Sequence, residues 1–135
     1  MTDTSTRTTA TGTGTAAADA GTADAADAAA QDPWPTIARL HAWLTAHQKL
    51  PRSEEILLRV LKLSEEVGEA AQAVIGATGQ NPRKGTSHTW QDVEAELCDV
   101  VITAMVALRT LTPDAAEVFA RHVDRVAARS LEDGG

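Results

Sequence analysis

Two short acidic repeats are the residues best placed to do chemistry. Glu66 and Glu69 lie three apart in Ser64-Glu65-Glu66-Val67-Gly68-Glu69, and Glu96 and Asp99 repeat that spacing in Glu94-Ala95-Glu96-Leu97-Cys98-Asp99. Residues three apart on a helix share one face, one turn from each other. Here each pair also borders an apolar stripe, since Leu97 and Val100 directly follow Glu96 and Asp99. Carboxylates gathered in a poorly solvated place repel, and they take up protons unless a cation joins them. Four hard oxygen donors with no His or Cys ligand pattern favour Mg²⁺ or Mn²⁺ over zinc. A ferritin-like di-iron bundle needs Glu-x-x-His on two helices, and no such pair occurs. The plain alternative is a set of solvated acids on amphipathic helices. That reading suits one Glu-x-x-Glu better than two pairs on neighbouring helices.

The elements that must position these acids are helical. The spacing of Ile37, Leu40 and Leu44 predicts a first helix from Pro35 to His47, begun at the Pro33-Trp34-Pro35 turn. Pro51 breaks the chain, Ser53 reads as an N-cap, and Glu54 and Glu55 suit the first turn of a second helix ending near Ile75. Its expected inward stripe is Leu57, Leu61, Ser64, Gly68, Ala71 and Ile75. Residues 76–88 read as loop by their glycines, proline and small polar residues. A third helix follows Thr89, an expected N-cap, and runs to about Thr110. Its inward positions are expected at Val93, Leu97, Val100, Val101, Ala104 and Leu108. Thr112-Pro113-Asp114 reads as N-cap, N1 proline and favourable first-turn charge for a fourth helix to about Arg129, with Phe119, Val123 and Val126 inward. The expected fold class is all-α, a four-helix bundle with an N-terminal tail.

Composition bounds the rest. The chain has 135 residues, enough for one domain. Residues 1–32 contain no Leu, Ile, Val, Phe or Trp. Such a segment cannot offset its ordering entropy, so a disordered tail is expected there. With no apolar h-region and a single Arg7, it does not read as a signal or transit peptide. Residues 33–131 form the expected helical domain, and 132–135 a frayed end. The tail holds five Asp and one Arg, so most of the formal −7 charge sits there. The acidic balance excludes a broad nucleic-acid surface but not a small phosphate pocket. One cysteine, Cys98, allows no internal disulfide. No apolar run approaches the roughly 20 residues that span a bilayer, so a cytoplasmic protein without membrane or nucleic-acid partners is expected.

Lys62-Leu63-Ser64-Glu65-Glu66-Val67-Gly68-Glu69, followed by Glu96-Leu97-Cys98-Asp99-Val100-Val101, resembles the MazG-like, all-α nucleoside triphosphate pyrophosphohydrolases. That family's signature is Glu-x-x-Glu, a helix–loop interval, then Glu-x-x-Asp. The resemblance covers about residues 36–130. It implies that Glu66, Glu69, Glu96 and Asp99 bind Mg²⁺, with Mn²⁺ as the substitute. It implies cleavage between the α and β phosphates of a nucleoside triphosphate, giving the monophosphate and pyrophosphate, in nucleotide-pool house-cleaning. Glu66 and the adjoining Glu65 are the candidate catalytic residues; Glu65 is a further ligand, an outer support or the base. A homodimer or homotetramer is expected, because family members complete the pocket with a second subunit and a thin core gains from one.

Other residues are candidates for the remaining contacts. Lys62, four before Glu66, either reaches a phosphate or pairs with Glu66. Arg83 and Lys84, in the Gly-rich loop, either close over phosphates or stay solvated. Arg121 heads an Arg121, Arg125, Arg129 stripe and stands where the family carries a phosphate-binding Lys, without the accompanying Asn. Arg39-Leu40-His41-Ala42 is similar to the first helix of dCTP pyrophosphatases, which makes His41 a base-binding candidate. Trp43 is another, offering a ring for stacking. The aromatics that such enzymes carry near the end of the second helix are replaced by Ile75 and Gly76. Two rival readings remain: a phosphoribosyl-ATP pyrophosphohydrolase-type enzyme, and a catalytically silent helical module that binds nucleotide or protein.

Overall fold

The computed structural model describes residues 32–131. The expected tail, 1–32, lies outside the described residues except for Asp32, and the expected frayed end, 132–135, lies wholly outside them. Four helices and no strand occur among the described residues: α1 Trp34–His47, α2 Arg52–Ala77, α3 Trp90–Leu111 and α4 Ala115–Leu131. No described helix is long and apolar enough to cross a membrane.

The helix ends follow local chemistry. Pro51 is extended (φ −57°, ψ 150°), and its carbonyl accepts from Glu54 N–H and Glu55 N–H, both at 3.0 Å. Helix α2 therefore starts at Arg52, and Ser53 lies inside its first turn rather than capping it. At the other end α2 continues to Ala77, beyond the expected stop. Gly79 adopts a left-handed φ of 65°, Gln80 N–H donates to Ile75 O at 3.1 Å, and Gly79 N–H donates to Gly76 O at 3.3 Å. These are the paired bonds of a Schellman stop. Gly76 is thus helical, and it is glycine because the loop folds back on it. Ser87 N–H donates to its carbonyl at 3.1 Å. A Cβ there would sit 2.7 Å from Ser87 Oγ and 2.9 Å from His88 Cγ.

Helix α3 opens with a reciprocal capping box. Thr89 Oγ1 accepts from Asp92 N–H at 3.2 Å, and Asp92 Oδ2 accepts from Thr89 N–H at 2.7 Å. The Thr89 N–H, followed by its hydroxyl, holds the Asp92 carboxyl below its ordinary value. Thr112 caps the following turn, with its Oγ1 accepting from Asp114 N–H at 3.1 Å. Pro113-Asp114 forms that turn, and the helix proper begins at Ala115.

Helices α2 and α3 form an antiparallel hairpin. Arg52, at the start of α2, donates to Thr110 O near the end of α3 at 2.9 Å, while Gly76 meets the loop before α3. Helix α1 lies along the α3 side and is tied to α2 by Glu55. This buried carboxylate accepts from Thr45 Oγ1 at 3.3 Å, Gln48 Nε2 at 3.2 Å and Arg59 at 3.4 Å.

The core is built mostly from small residues: Ile37, Ala70, Ala73, Val93, Val106, Ala107, Ala115 and Thr110 are buried. Much of the expected inward stripe is not inside. Leu57 is 63% exposed and Leu61 61%, while Glu66, Ala70, Ala73 and Gly76 carry the buried face of α2. The cause is that α2 is apolar on two faces, and only one meets α3. Leu97 and Val101 on α3 are likewise exposed. Helix α4 packs sparingly: Phe119 touches Trp34 edge-on at 5.9 Å, yet Phe119, Val123 and Val126 all remain exposed.

Candidate metal centre

The hairpin puts the acidic pairs opposite each other. Glu66 from α2 and Glu96 and Asp99 from α3 each offer a carboxylate oxygen, and the three atoms lie within 4.8 Å of one another. Glu66 is buried, Glu96 half-buried and Asp99 exposed, so the cluster opens outward on the Asp99 side. Octahedral Mg²⁺ with bonds of about 2.1 Å places neighbouring ligand oxygens about 3 Å apart and opposite ones about 4.2 Å apart. The three oxygens need only a small inward closure to meet that geometry. An all-carboxylate donor set fits a hard divalent cation and no softer metal.

Glu69 is exposed and is not one of the three oxygens' owners. It nevertheless feels the cluster. Partial burial, then repulsion from Glu66, Glu96 and Glu65, push its carboxyl above the ordinary value, with Lys62 opposing. Glu66 goes the other way. The Lys62 ammonium holds its carboxyl down against the cost of burial, aided by hydrogen bonding shared with Glu69 and Thr103. Lys62 Nζ lies 2.9 Å from both Glu66 Oε1 and Glu65 Oε2, and those bonds hold the ammonium above its usual range. Of the two readings of Lys62, the ion pair is the arrangement seen. Lys62 thus brings positive charge to the place where the carboxylates crowd.

An apolar cavity of about 220 Å³ adjoins the cluster. Leu40, Trp43 and Leu44 of α1 face Ile102, Thr103 and Val106 of α3 across it, with Arg59 and Lys62 at its α2 edge. Lys62 and Thr103 belong to both places, since each also contacts Glu66. Trp43 is 59% exposed and stands over the cavity with its ring tilted against His47, centroids 4.7 Å apart.

The other candidate residues lie elsewhere. His41 lines a separate cavity with Arg52, Arg109 and the Thr112-Pro113 turn. Lys84 lines a polar cavity with Gln72, Asn81, Ser87 and His88, and Arg83 lies in the same turn. Arg121 pairs loosely with Glu117 at 3.7 Å on α4. The hairpin therefore gathers Lys62, Glu65, Glu66, Glu69, Glu96 and Asp99, with Trp43 beside them. It does not bring His41, Lys84 or Arg121 to them. Two residues at the site were passed over in the sequence. Thr103 is four after Asp99 and seven after Glu96, and Arg59 is seven before Glu66; helical spacing already put both on the acidic face. No family model, curated protein or solved structure matches this chain.

Proposed function

We propose that the chain is a MazG-like pyrophosphohydrolase that cleaves a nucleoside triphosphate to the monophosphate and pyrophosphate with Mg²⁺ held by Glu66, Glu96 and Asp99. The observation that carries this reading is the position of the carboxylate triad. It opens beside an apolar cavity that ends on Trp43 and shares Lys62 and Thr103 with it. A nucleotide has the matching halves: a flat, largely apolar base and a polyanion. An acidic pocket repels that polyanion unless a cation inverts the local charge. When bound, the cation polarises phosphoryl oxygens and makes an attacking water more acidic.

The chain's own residues supply the rest. Glu69 completes the ligand set by a rotamer change or stays as the outer acceptor that orients a water. Its raised carboxyl makes it, with Glu65, a candidate to take the proton of that water. Lys62 would be free to turn from Glu66 to a phosphate oxygen if a divalent cation neutralised the carboxylates. Trp43, Leu40 and Ile102 bury the base and keep bulk water away from its side of the cavity.

The protomer also requires a partner in this reading. Leu57, Leu61, Leu97, Val101, Phe119 and Val123 stay exposed, and a second copy covers part of that surface. Nucleotide-pool house-cleaning suits such an enzyme.

The test is a pyrophosphate-release assay. The full-length protein is incubated with a panel of nucleoside triphosphates and with phosphoribosyl-ATP, in Mg²⁺ and in chelator. Turnover that needs Mg²⁺ and falls sharply in Glu66→Gln and Asp99→Asn is expected. Turnover of phosphoribosyl-ATP alone selects the sister activity. No turnover of any substrate sinks the enzyme reading and leaves a binding module.

A further inference from the structure

A separate cavity, of about 200 Å³, lies at the opposite end of the hairpin from the acids. Its lining is His41, Arg52, Arg109, Thr110, Thr112 and Pro113. The ordinary helical rise puts it about 20 Å from Glu66 along α2 and about 15 Å from Asp99 along α3. The two places therefore do not share a ligand of modest size. Their charges are opposite, which separates their chemistry as well.

Arg52 and Arg109 come from different helices, and both line the cavity. Arg52 donates to Thr110 O, and Arg109 donates to Pro113 O. Each tether uses part of a five-donor guanidinium fork and leaves the remaining N–H groups unspent. Neither arginine forms an ion pair with a carboxylate among the described residues. His41 is half-buried, and its Nε2 is buried without a hydrogen-bond partner. Unmatched polar atoms of this kind call for an acceptor. Burial holds the His41 ring below its ordinary pKa; Glu55 opposes this, and Arg109, Arg59 and Arg52 add to it. The shift favours the neutral ring, which has a donor–acceptor pair to offer. The hydroxyl of Thr112 accepts from Asp114 N–H and retains its own hydrogen.

We propose that this cavity is a binding site for a small oxyanion of the phosphate class, separate from the metal centre. Donor-bearing side chains from α1, α2, α3 and the Thr112 turn line it, so that an anion with several oxygens could meet them from more than one side. Two guanidinium forks give charge-assisted bonds of the kind that phosphate groups select. The site does not rest on the pyrophosphohydrolase reading, because none of its residues belongs to the acidic cluster.

The test is a titration of the full-length, chelator-treated protein with inorganic phosphate, following the His41 ring nitrogens by NMR. A saturable shift is expected, with the ring's titration midpoint moving upward as phosphate fills the site. Arg109→Gln should weaken it by about tenfold or more, the size expected for losing a charged hydrogen-bond partner. Arg52→Gln gives the same reading if the first variant fails to fold. Glu66→Gln should leave the binding unchanged. The proposal is overturned if chloride at matched ionic strength produces the same shift, if no saturable change occurs at His41, or if a folded arginine variant binds phosphate as well as the parent.

Discussion

A divalent cation should stabilise the folded chain through Glu66, Glu96 and Asp99, and mass action sets the size of the effect. The three oxygens come from two helices and lie within 4.8 Å of one another only in the folded hairpin. At free Mg²⁺ about 100-fold above its Kd, the stabilisation RT ln(1 + [L]/Kd) is about 2.7 kcal/mol. A helical body of roughly 100 residues has an unfolding entropy of about 0.2 kcal/mol/K. The melting temperature should therefore rise by about 13 °C. Asp99→Asn removes one of the three anionic ligands. If that weakens binding about tenfold, the same Mg²⁺ gives only about half the rise. Lys62→Gln should act in the opposite direction, enlarging the rise, because the ammonium competes with the metal for Glu66. Circular-dichroism melts across a Mg²⁺ series would read this, at fixed protein concentration and with Na⁺ controls at equal ionic strength. An equal rise in the parent and in Asp99→Asn refutes the assignment of the ligands. No rise in the parent refutes the metal site itself.

Four further outcomes are expected. Thr89→Ala opens the capping box of α3 and should cost about 1 kcal/mol, read as a lower urea midpoint. Gly76→Ala drives a methyl group into Ser87 and His88 and should cost about 1–3 kcal/mol by the same assay. Asp92 has a depressed carboxyl pKa in the folded chain, so its contribution is full above the unfolded value and is lost as pH falls through the folded one. Asp92→Asn should accordingly lower stability in the neutral range, where the contribution is full, and flatten the further loss below about pH 4. Phe119→Asp, on the exposed apolar face of α4, should shift the assembly toward monomer in sedimentation velocity, while an unchanged mass would argue against that face as an interface.

Short-range signals in the sequence carried most of the local structure. The Thr89 cap, the Thr112-Pro113 turn and the four helices each depend on residues within a turn or two of one another. The pairing of Glu66 with Glu96 and Asp99 was legible for the same reason, because two i, i+3 pairs on an antiparallel hairpin have few ways to miss each other. The burial pattern was not. Helix α2 has Leu57 and Leu61 on one face and Ala70 and Ala73 on another, and periodicity alone does not say which face meets α3. Short residues won that contact because they let α3 approach closely, leaving the leucines outside. His41 and Trp43 stand two apart, about 200° around α1, so one helix serves two cavities. That separation becomes visible only once α1 is laid on the hairpin.

The compactness of the hairpin has a consequence for how the protein is made. All the carboxylates of the candidate metal centre lie between residues 65 and 99, on two helices joined by the loop 78–89. Contacts within one hairpin lose less chain entropy on closing than contacts between more distant parts of a chain. Synthesis proceeds from the N-terminus, so α2 and α3 can meet before α4 has emerged to be packed. A cation that binds then would lock the register of α2 against α3 early, and the remaining folding would consist of finding cover for the leucines left outside.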